Sequence, residues 1–158
     1  SRLYSRINDG GIIHVAPIFN TPVAGVNLFP HLPTPAGRQS LYIPKLLTDL
    51  KSGNLANFSE IFHAKAFAWE PEYRVLWDHY QTFESHGFGI LDNSPDEILD
   101  LCMDMEDKLL GIPADSEAIE LQVMYKQRFL RDGPYDLDHM PDIGPRFAKK
   151  YQTLITAN

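Results

Sequence analysis

The sequence has little of what marks several large classes of protein. Its single cysteine, Cys102, excludes an internal disulfide and favours a reducing compartment. No apolar run approaches the roughly 18 residues of a membrane span, and no signal-peptide pattern opens the chain. Lys and Arg number 14 against 21 for Asp and Glu, which gives a net charge of -7. This charge argues against nucleic acid and anionic membrane surfaces as partners. We therefore expect a cytoplasmic protein.

The composition is that of a folded globular protein. Hydrophobic residues make up 44% of the chain and charged residues 22%, close to the average for folded proteins, so disorder is not expected. With 158 residues, the chain is expected to form one domain, over residues 1–158. Twelve prolines and ten glycines predict many loops.

The first thirty residues predict a βαβ unit. A short strand is expected over residues 3–7, followed by a turn at Asp9-Gly10-Gly11. Helical spacing of apolar residues continues to Phe19, although Pro17 should shorten or kink that helix. An apolar run over residues 23–29 is typical of a buried strand. This order favours a parallel sheet.

Most of the remaining chain predicts helices. The strongest signal is Ser94-Pro95-Asp96-Glu97, which combines an N-cap, a proline at the first helical position and a capping-box Glu. We expect a short strand over residues 88–91 and helices over residues 43–50, 57–66, 71–84, 94–111, 116–131 and from 145 onward. Residues 134–144 are expected to form a loop. The expected fold is α/β, helix-rich with few parallel strands.

Residues 7–23 read Ile-Asn-Asp-Gly-Gly-Ile-Ile-His-Val-Ala-Pro-Ile-Phe-Asn-Thr-Pro-Val. They resemble the nucleotide-sugar segment of GT-B glycosyltransferases. Heptosyltransferase-like members carry Asp, Ser or Thr, Gly, two residues, His, then Ala, with a Pro-Val that starts the next strand. Asp9, Gly11 and His14 match that frame, and Gly10 stands in the Ser/Thr place.

Four later stretches extend the resemblance to a family of bacterial carbohydrate-cluster glycosyltransferases. They keep the family's order and spacing over most of residues 7–156, and they are Ile43-Pro44-Lys45-Leu46, Phe58-Ser59-Glu60-Ile61, Leu91 to Ile98, and Gly144 to Phe147. The resemblance implies a Rossmann-like half-domain, the distal part of the donor-binding C-terminal domain of such an enzyme. It implies transfer of a sugar from a nucleotide-sugar donor to a carbohydrate acceptor. The acceptor-side domain has no counterpart in this chain, so the isolated fragment should be a poor catalyst.

The expected donor-binding residues are Asp9, Gly10, Gly11, His14, Arg38, Lys45 and Glu60. A glycine pair before a helix lets backbone N–H groups approach a diphosphate, whereas the carboxylate of Asp9 suits a ligand hydroxyl or a helix cap. His14 could donate to a phosphate or sugar oxygen, and the two cations, Arg38 and Lys45, could offset leaving-group charge. Each residue also has a structural interpretation: a capping turn, a surface histidine, solvated cations, and a capping box of Glu60 with Asn57.

No catalytic residue is assigned, because in the resembling enzymes the general base usually comes from the other domain. Asp136-Leu137-Asp138 falls in a predicted loop between helices, so we expect no metal, and we expect no other cofactor. Two alternatives stay open: a non-catalytic binding or scaffold domain of the same fold, and a nucleotide-sugar epimerase. An unpaired sheet edge and an uncovered apolar face also predict self-association of the fragment.

Overall fold

The computed structural model describes residues 4–7, 16, 19, 21–28, 39–63, 83–130 and 140–157. Within these ranges the chain is a mixed α/β protein with two small sheets. The strands are β1 (Tyr4–Ile7), β2 (Val23–Leu28), β3 (Leu41–Pro44), β4 (Leu46–Asp49), β5 (Phe88–Leu91) and β6 (Asp142–Ile143). The helices are α1 (Phe58–His63), α2 (Pro95–Leu109), α3 (Ser116–Tyr125), α4 (Pro145–Lys150) and α5 (Gln152–Thr156), and a π-helical segment over Lys126–Leu130 continues α3.

Four parallel strands form the main sheet in the order β1-β2-β3-β6. Tyr4 of β1 lies opposite Val23 of β2, so the strand predicted over residues 23–28 pairs in parallel with the strand before it. Every side chain of β2 is buried, as expected for an inner strand covered on both faces. The helix predicted between β1 and β2 falls mainly outside the described residues.

The second sheet is an antiparallel pair of β4 and β5. It corrects one prediction, because the helix expected over residues 43–50 is absent and β3 and β4 occupy that stretch. A short apolar run fits a buried strand as well as a buried helix, and Pro44 has no N–H to give to a helix. The strand predicted over residues 88–91 is confirmed, but it belongs to this second sheet.

Helix starts were predicted well from capping residues. Ser94 Oγ accepts from the Glu97 backbone N–H at 3.3 Å, and Glu97 Oε2 accepts from the Ser94 N–H at 2.8 Å, which is the capping box expected at the start of α2. The starts expected for α3 and α4 are confirmed as well. The α-helical part of α3 ends at Tyr125, earlier than predicted, where the π-helical segment begins.

The strand β6 was not predicted. Asp142 and Ile143, expected in a loop, instead pair in parallel with Leu41 and Tyr42 of β3. Two residues carry no readable alternation of apolar and polar side chains, so no sequence pattern indicates such a strand. The Asp-x-Asp stretch at residues 136–138 lies outside the described residues.

The core lies between the main sheet and helices α1 to α5. Leu101 and Met105 of α2 are fully buried against it, as are Phe147 and Ile155 near the chain's end. Phe58 of α1 packs edge-to-face on the ring of Tyr125, which is also buried, with centroids 5.0 Å apart. None of the helices in the described ranges is long and apolar enough to cross a membrane.

Candidate functional site

The carboxyl ends of β1, β2 and β3 meet at one edge of the main sheet, where open parallel sheets bind ligands. Asp9-Gly10-Gly11 and His14 follow β1 in the sequence, and Arg38 belongs to the segment after β2. These five residues lie outside the described residues. Lys45 comes directly after β3 and is described, and so is Glu60.

Lys45 joins the two sheets and is held by contacts at both its ends. Its backbone N–H donates to the carbonyl oxygen of Leu28, at the end of β2, over 2.6 Å. Its ammonium group forms an ion pair with a carboxylate oxygen of Asp92. The Lys45 side chain is only 6% exposed, whereas that of Asp92 is 67% exposed. The lysine therefore places a buried cation at this edge, largely offset by a carboxylate that faces solvent.

Two buried asparagines, Asn27 and Asn93, form hydrogen bonds at the carboxyl ends of β2 and β3. The Asn27 backbone N–H donates to Asn93 Oδ1 at 2.7 Å, and the Asn93 backbone N–H donates to Asn27 Oδ1 at 2.6 Å. Asn93 Nδ2 also donates to the carbonyl oxygen of Pro44 at 2.8 Å. Asn27 has a φ of 56°, a left-handed conformation that asparagine tolerates better than most residues. The pair links the ends of β2 and β3 to the segment before α2.

The Asn27–Asn93 pair was missed from the sequence. Asn93 directly precedes the predicted N-cap Ser94, and Asn27 falls within the apolar run over residues 23–29. The available signal was the presence of a polar residue between Val26 and Leu28 in an otherwise apolar run. Its partner is 66 positions away, and no local pattern specifies such a contact.

Glu60 lies away from the Asn27–Asn93 pair, in the first turn of α1. Its Oε2 accepts from the Asn57 N–H at 3.0 Å, and its own N–H donates to Asn57 Oδ1 at 2.8 Å. This is the capping box with Asn57 that the sequence predicts as the structural role of Glu60. The carboxylate is thus occupied by the start of its own helix.

Glu97 anchors the start of α2 to the last two helices. Its side chain is 4% exposed and accepts hydrogen bonds from Lys150 Nζ at 3.0 Å and from the Tyr151 hydroxyl. Burial opposes the charged form, but the bonds from Tyr151, the Ser94 N–H and Lys150 outweigh it and lower the pKa of Glu97. The residue is therefore an ionised structural group.

An open pocket of about 650 Å³ lies elsewhere, near the first residues of β3 and β6. Its apolar lining includes Leu41, Ile112 and Ile119, and its charged lining comprises Asp104, Asp107, Lys108, Asp115, Asp142, Arg146 and Lys149. Neither Lys45 nor Glu60, the two described residues that were predicted to bind the donor, lines it. No local sequence pattern indicates this pocket, because its lining comes from β3, α2, α3, β6, α4 and the loop between α2 and α3.

Arg146 and two carboxylates form one wall of the pocket. Its guanidinium group donates to Asp104 and, at 2.9 Å, to Asp107 Oδ2, and its backbone N–H donates to Asp104 Oδ2 at 3.1 Å. Burial raises the pKa of Asp104 although Arg146 acts in the opposite direction. A Cβ at Gly144 would come within 3.0 Å of Asp104 Oδ2, so glycine permits this close approach of α4 to α2.

Two lysines share one carboxylate on another side of the pocket. Lys126 Nζ lies 2.6 Å from Asp142 Oδ1, and Lys108 Nζ lies 3.8 Å from Asp142 Oδ2. Lys126 also donates to the carbonyl oxygen of Met140 at 3.0 Å. The ion pair with Lys126 is therefore the tighter of the two. In the described part of the chain, His, Cys, Asp and Glu side chains form no group of three that could hold a metal ion.

Comparisons with known proteins returned no match to this chain, whether with family models, with curated proteins or with solved structures.

Proposed function

We propose that the chain is the donor-binding part of a glycosyltransferase that transfers a sugar from a nucleotide sugar to a carbohydrate acceptor. The observation that carries this proposal is the convergence of β1, β2 and β3, adjacent and parallel in chain order, at one sheet edge. The segments that hold Asp9 to His14 and Lys45 follow β1 and β3 at that edge. The segment that contains Arg38 starts there too, but it ends at Ser40, whose Oγ accepts from the Val23 N–H at the amino end of β2. The finer assignment, a Rossmann-like half-domain of GT-B type, rests on this topology and on the sequence resemblance.

The proposed chemistry is electrostatic. A nucleoside diphosphate leaving group needs hydrogen-bond donors and positive potential where its charge develops. The backbone of Gly10 and Gly11 would supply the donors, and Lys45 would supply the potential in place of a metal. Because Asp92 pairs with Lys45 and faces solvent, the lysine could exchange this carboxylate for a phosphate oxygen without leaving its buried position.

One observation favours a second candidate, a non-catalytic binding or scaffold domain of the same fold. Both described members of the proposed site already have structural partners: Lys45 pairs with Asp92, and Glu60 closes a capping box with Asn57. A fold that has lost the chemistry would keep such contacts. The two candidates differ in whether a nucleoside diphosphate binds.

The test is an NMR titration of the 158-residue chain with ADP, GDP, UDP and CDP in turn. The proposal predicts shifts of the amides of residues 10–14. Binding should be weak, because the acceptor-side half of the cleft is absent, and a millimolar Kd corresponds to about 4 kcal/mol. Gly11→Val should abolish the shifts by blocking the approach of the backbone. His14→Ala should weaken binding by about 0.5–1.5 kcal/mol if one hydrogen bond is lost.

The ion pair supplies a matched control. Asp92→Asn removes the carboxylate that competes for Lys45, so it should tighten diphosphate binding, while Asp96→Asn, in the first turn of α2, should change it much less. The corresponding nucleosides, which lack phosphates, should give no shifts. Flat spectra from a folded sample would contradict donor binding and favour the second candidate. Shifts confined to residues 136–142 would place the ligand at a different loop.

A further inference from the structure

Helix α2 carries a row of exposed apolar side chains opposite its buried side. Leu101 and Met105 pack in the core and are 1% and 0% exposed. On the other side, Leu99, Met103 and Leu110 are 59%, 39% and 68% exposed. They are spaced by four and seven positions, so they lie on one face of the helix. We call these three residues the α2 row, and it extends over about 16 Å.

The α2 row takes no part in fixing the ends of its helix. Ser94 and Glu97 close the capping box at the amino end. At the carboxyl end Gly111 has a φ of 75°, a left-handed conformation that commonly ends helices. The Ile112 N–H donates to the carbonyl oxygen of Asp107 at 2.8 Å just beyond it. Polar substitutions in the row should therefore leave the chain folded.

Acidic residues run beside the α2 row with the same spacing. Asp96, Asp100 and Asp107 each lie three positions before a member of the row. Arg146 pairs with Asp107 at 2.9 Å. Asp96 and Glu106 are exposed, Asp100 is half-buried, and none of these three forms an ion pair within the ranges that the structure describes. The apolar row is thus accompanied by carboxylates without counter-ions.

This combination determines the chemistry of a partner. A facing amphipathic helix inserts apolar side chains at spacings of three and four positions, which the α2 row matches. Lysine or arginine beside those side chains would offset the carboxylates. A second copy of the chain is disfavoured, because a two-fold contact sets the same surface against itself and each copy has a net charge of -7. An anionic lipid surface would be repelled.

We propose that the α2 row is a docking site for a basic amphipathic helix of another protein. The partner's apolar side chains pack on Leu99, Met103 and Leu110, and its cationic side chains pair with Asp96 and Asp100. The row covers only about three helical turns, so the association is weak and reversible. This docking does not depend on donor binding.

A model peptide tests the proposal. The probe is a fluorescent helical peptide of leucine and lysine whose leucines recur every three or four positions, and its matched control has glutamate in place of lysine. The folded 158-residue chain should bind the lysine peptide at least about tenfold more tightly in fluorescence anisotropy. An acidic chain attracts any cationic peptide, so variants must locate the contact.

Two pairs of variants locate it. Leu99→Gln and Met103→Gln should each weaken binding of the lysine peptide by about tenfold. Val123→Gln, which replaces an apolar side chain that is 46% exposed on α3, should leave binding unchanged. Asp100→Asn should weaken binding more than Glu120→Gln, which removes the same charge from α3. That difference should disappear at high salt.

Circular dichroism verifies that each variant is folded, and light scattering gives the oligomeric state of the chain without peptide. Equal affinities of the Leu99→Gln, Met103→Gln and Val123→Gln variants would overturn the proposal, because they would place the peptide elsewhere on the acidic surface. Equal affinity for the lysine and glutamate peptides would overturn it as well. Dimerisation that Leu99→Gln abolishes would make a second copy the occupant, against the proposal.

Discussion

Asn93→Ala should destabilise the fold strongly, because it removes two side-chain hydrogen bonds at once. The Asn27 backbone N–H would lose its acceptor, Oδ1, and the Pro44 carbonyl oxygen would lose its donor, Nδ2. Asn27 is 8% exposed and Asn93 7% exposed, so water is not readily available to either group.

The magnitude follows from these two orphaned groups. A buried donor or acceptor left without a partner costs about 1–3 kcal/mol, so two of them give an expected loss of about 2–6 kcal/mol in the free energy of unfolding. This is a large part of the roughly 5–15 kcal/mol that holds an ordinary domain folded. Urea titration followed by circular dichroism measures it, as a lower midpoint with an unchanged slope.

Two further variants make the reasoning refutable. Asn57→Ala removes an accessible N-cap and should cost only about 1 kcal/mol. Asn93→Asp keeps an acceptor for the Asn27 N–H but places a carboxylate beside the Pro44 carbonyl oxygen. The variant's loss in the free energy of unfolding should be smaller at low pH, because the protonated acid can donate to that oxygen. A loss for Asn93→Ala no larger than that for Asn57→Ala would refute the buried asparagine pair.

Two other substitutions test buried polar groups. Tyr42→Phe should leave the free energy of unfolding unchanged within about 0.5 kcal/mol or raise it, because the buried Tyr42 hydroxyl makes no hydrogen bond of ordinary length and angle in the described part of the chain. The Tyr125 hydroxyl lies near it, and a loss above about 1.5 kcal/mol in urea would show that the two hydroxyls are hydrogen-bonded after all. Glu97→Gln should lower stability at pH 7 by about 1.5–3 kcal/mol, since charged hydrogen bonds from Tyr151 and Lys150 are lost. The pKa of Glu97 is lowered in the folded state, so its charged form stabilises the fold above the unfolded-state pKa of about 4.3. This stabilisation is lost as pH falls through the folded-state pKa. A Glu97→Gln variant that loses as much stability at pH 3 as at pH 7 would therefore contradict an ionised Glu97.

The sequence predicted those elements whose ends carry local chemistry. Ser94 and Glu97 lie three positions apart and close a capping box within one turn, so α2 could be placed without tertiary information. The parallel pairing of β1 and β2 followed from the strand, turn, helix and strand order of the first thirty residues. In both cases the residues that determine the structure are close together in the chain.

The elements and contacts that the sequence did not predict depend on tertiary contacts. The run from Leu41 to Asp49 forms two strands because β2 and β5 are available to pair with it, which its own pattern does not reveal. Of the two described residues in the proposed donor-binding set, Glu60 bonds within its own turn, whereas Lys45 pairs with Asp92 from a distant segment. The pocket around Lys108 likewise depends on Asp142, whose strand has only two residues.

The short strand β6 determines when the pocket can exist. Neighbouring strands β1, β2 and β3 pair across short stretches of chain, so the loops between them close at modest entropic cost. Leu41 and Asp142 pair across about a hundred positions, with only one further residue pair beside them. This pairing therefore has the largest entropy cost of loop closure in the main sheet and forms the fewest strand contacts. The three adjacent strands can thus assemble first, and β6 joins them late.

Asp142 and Arg146 reach Lys108 and Asp104 only after that step. The pocket is therefore a product of the completed fold.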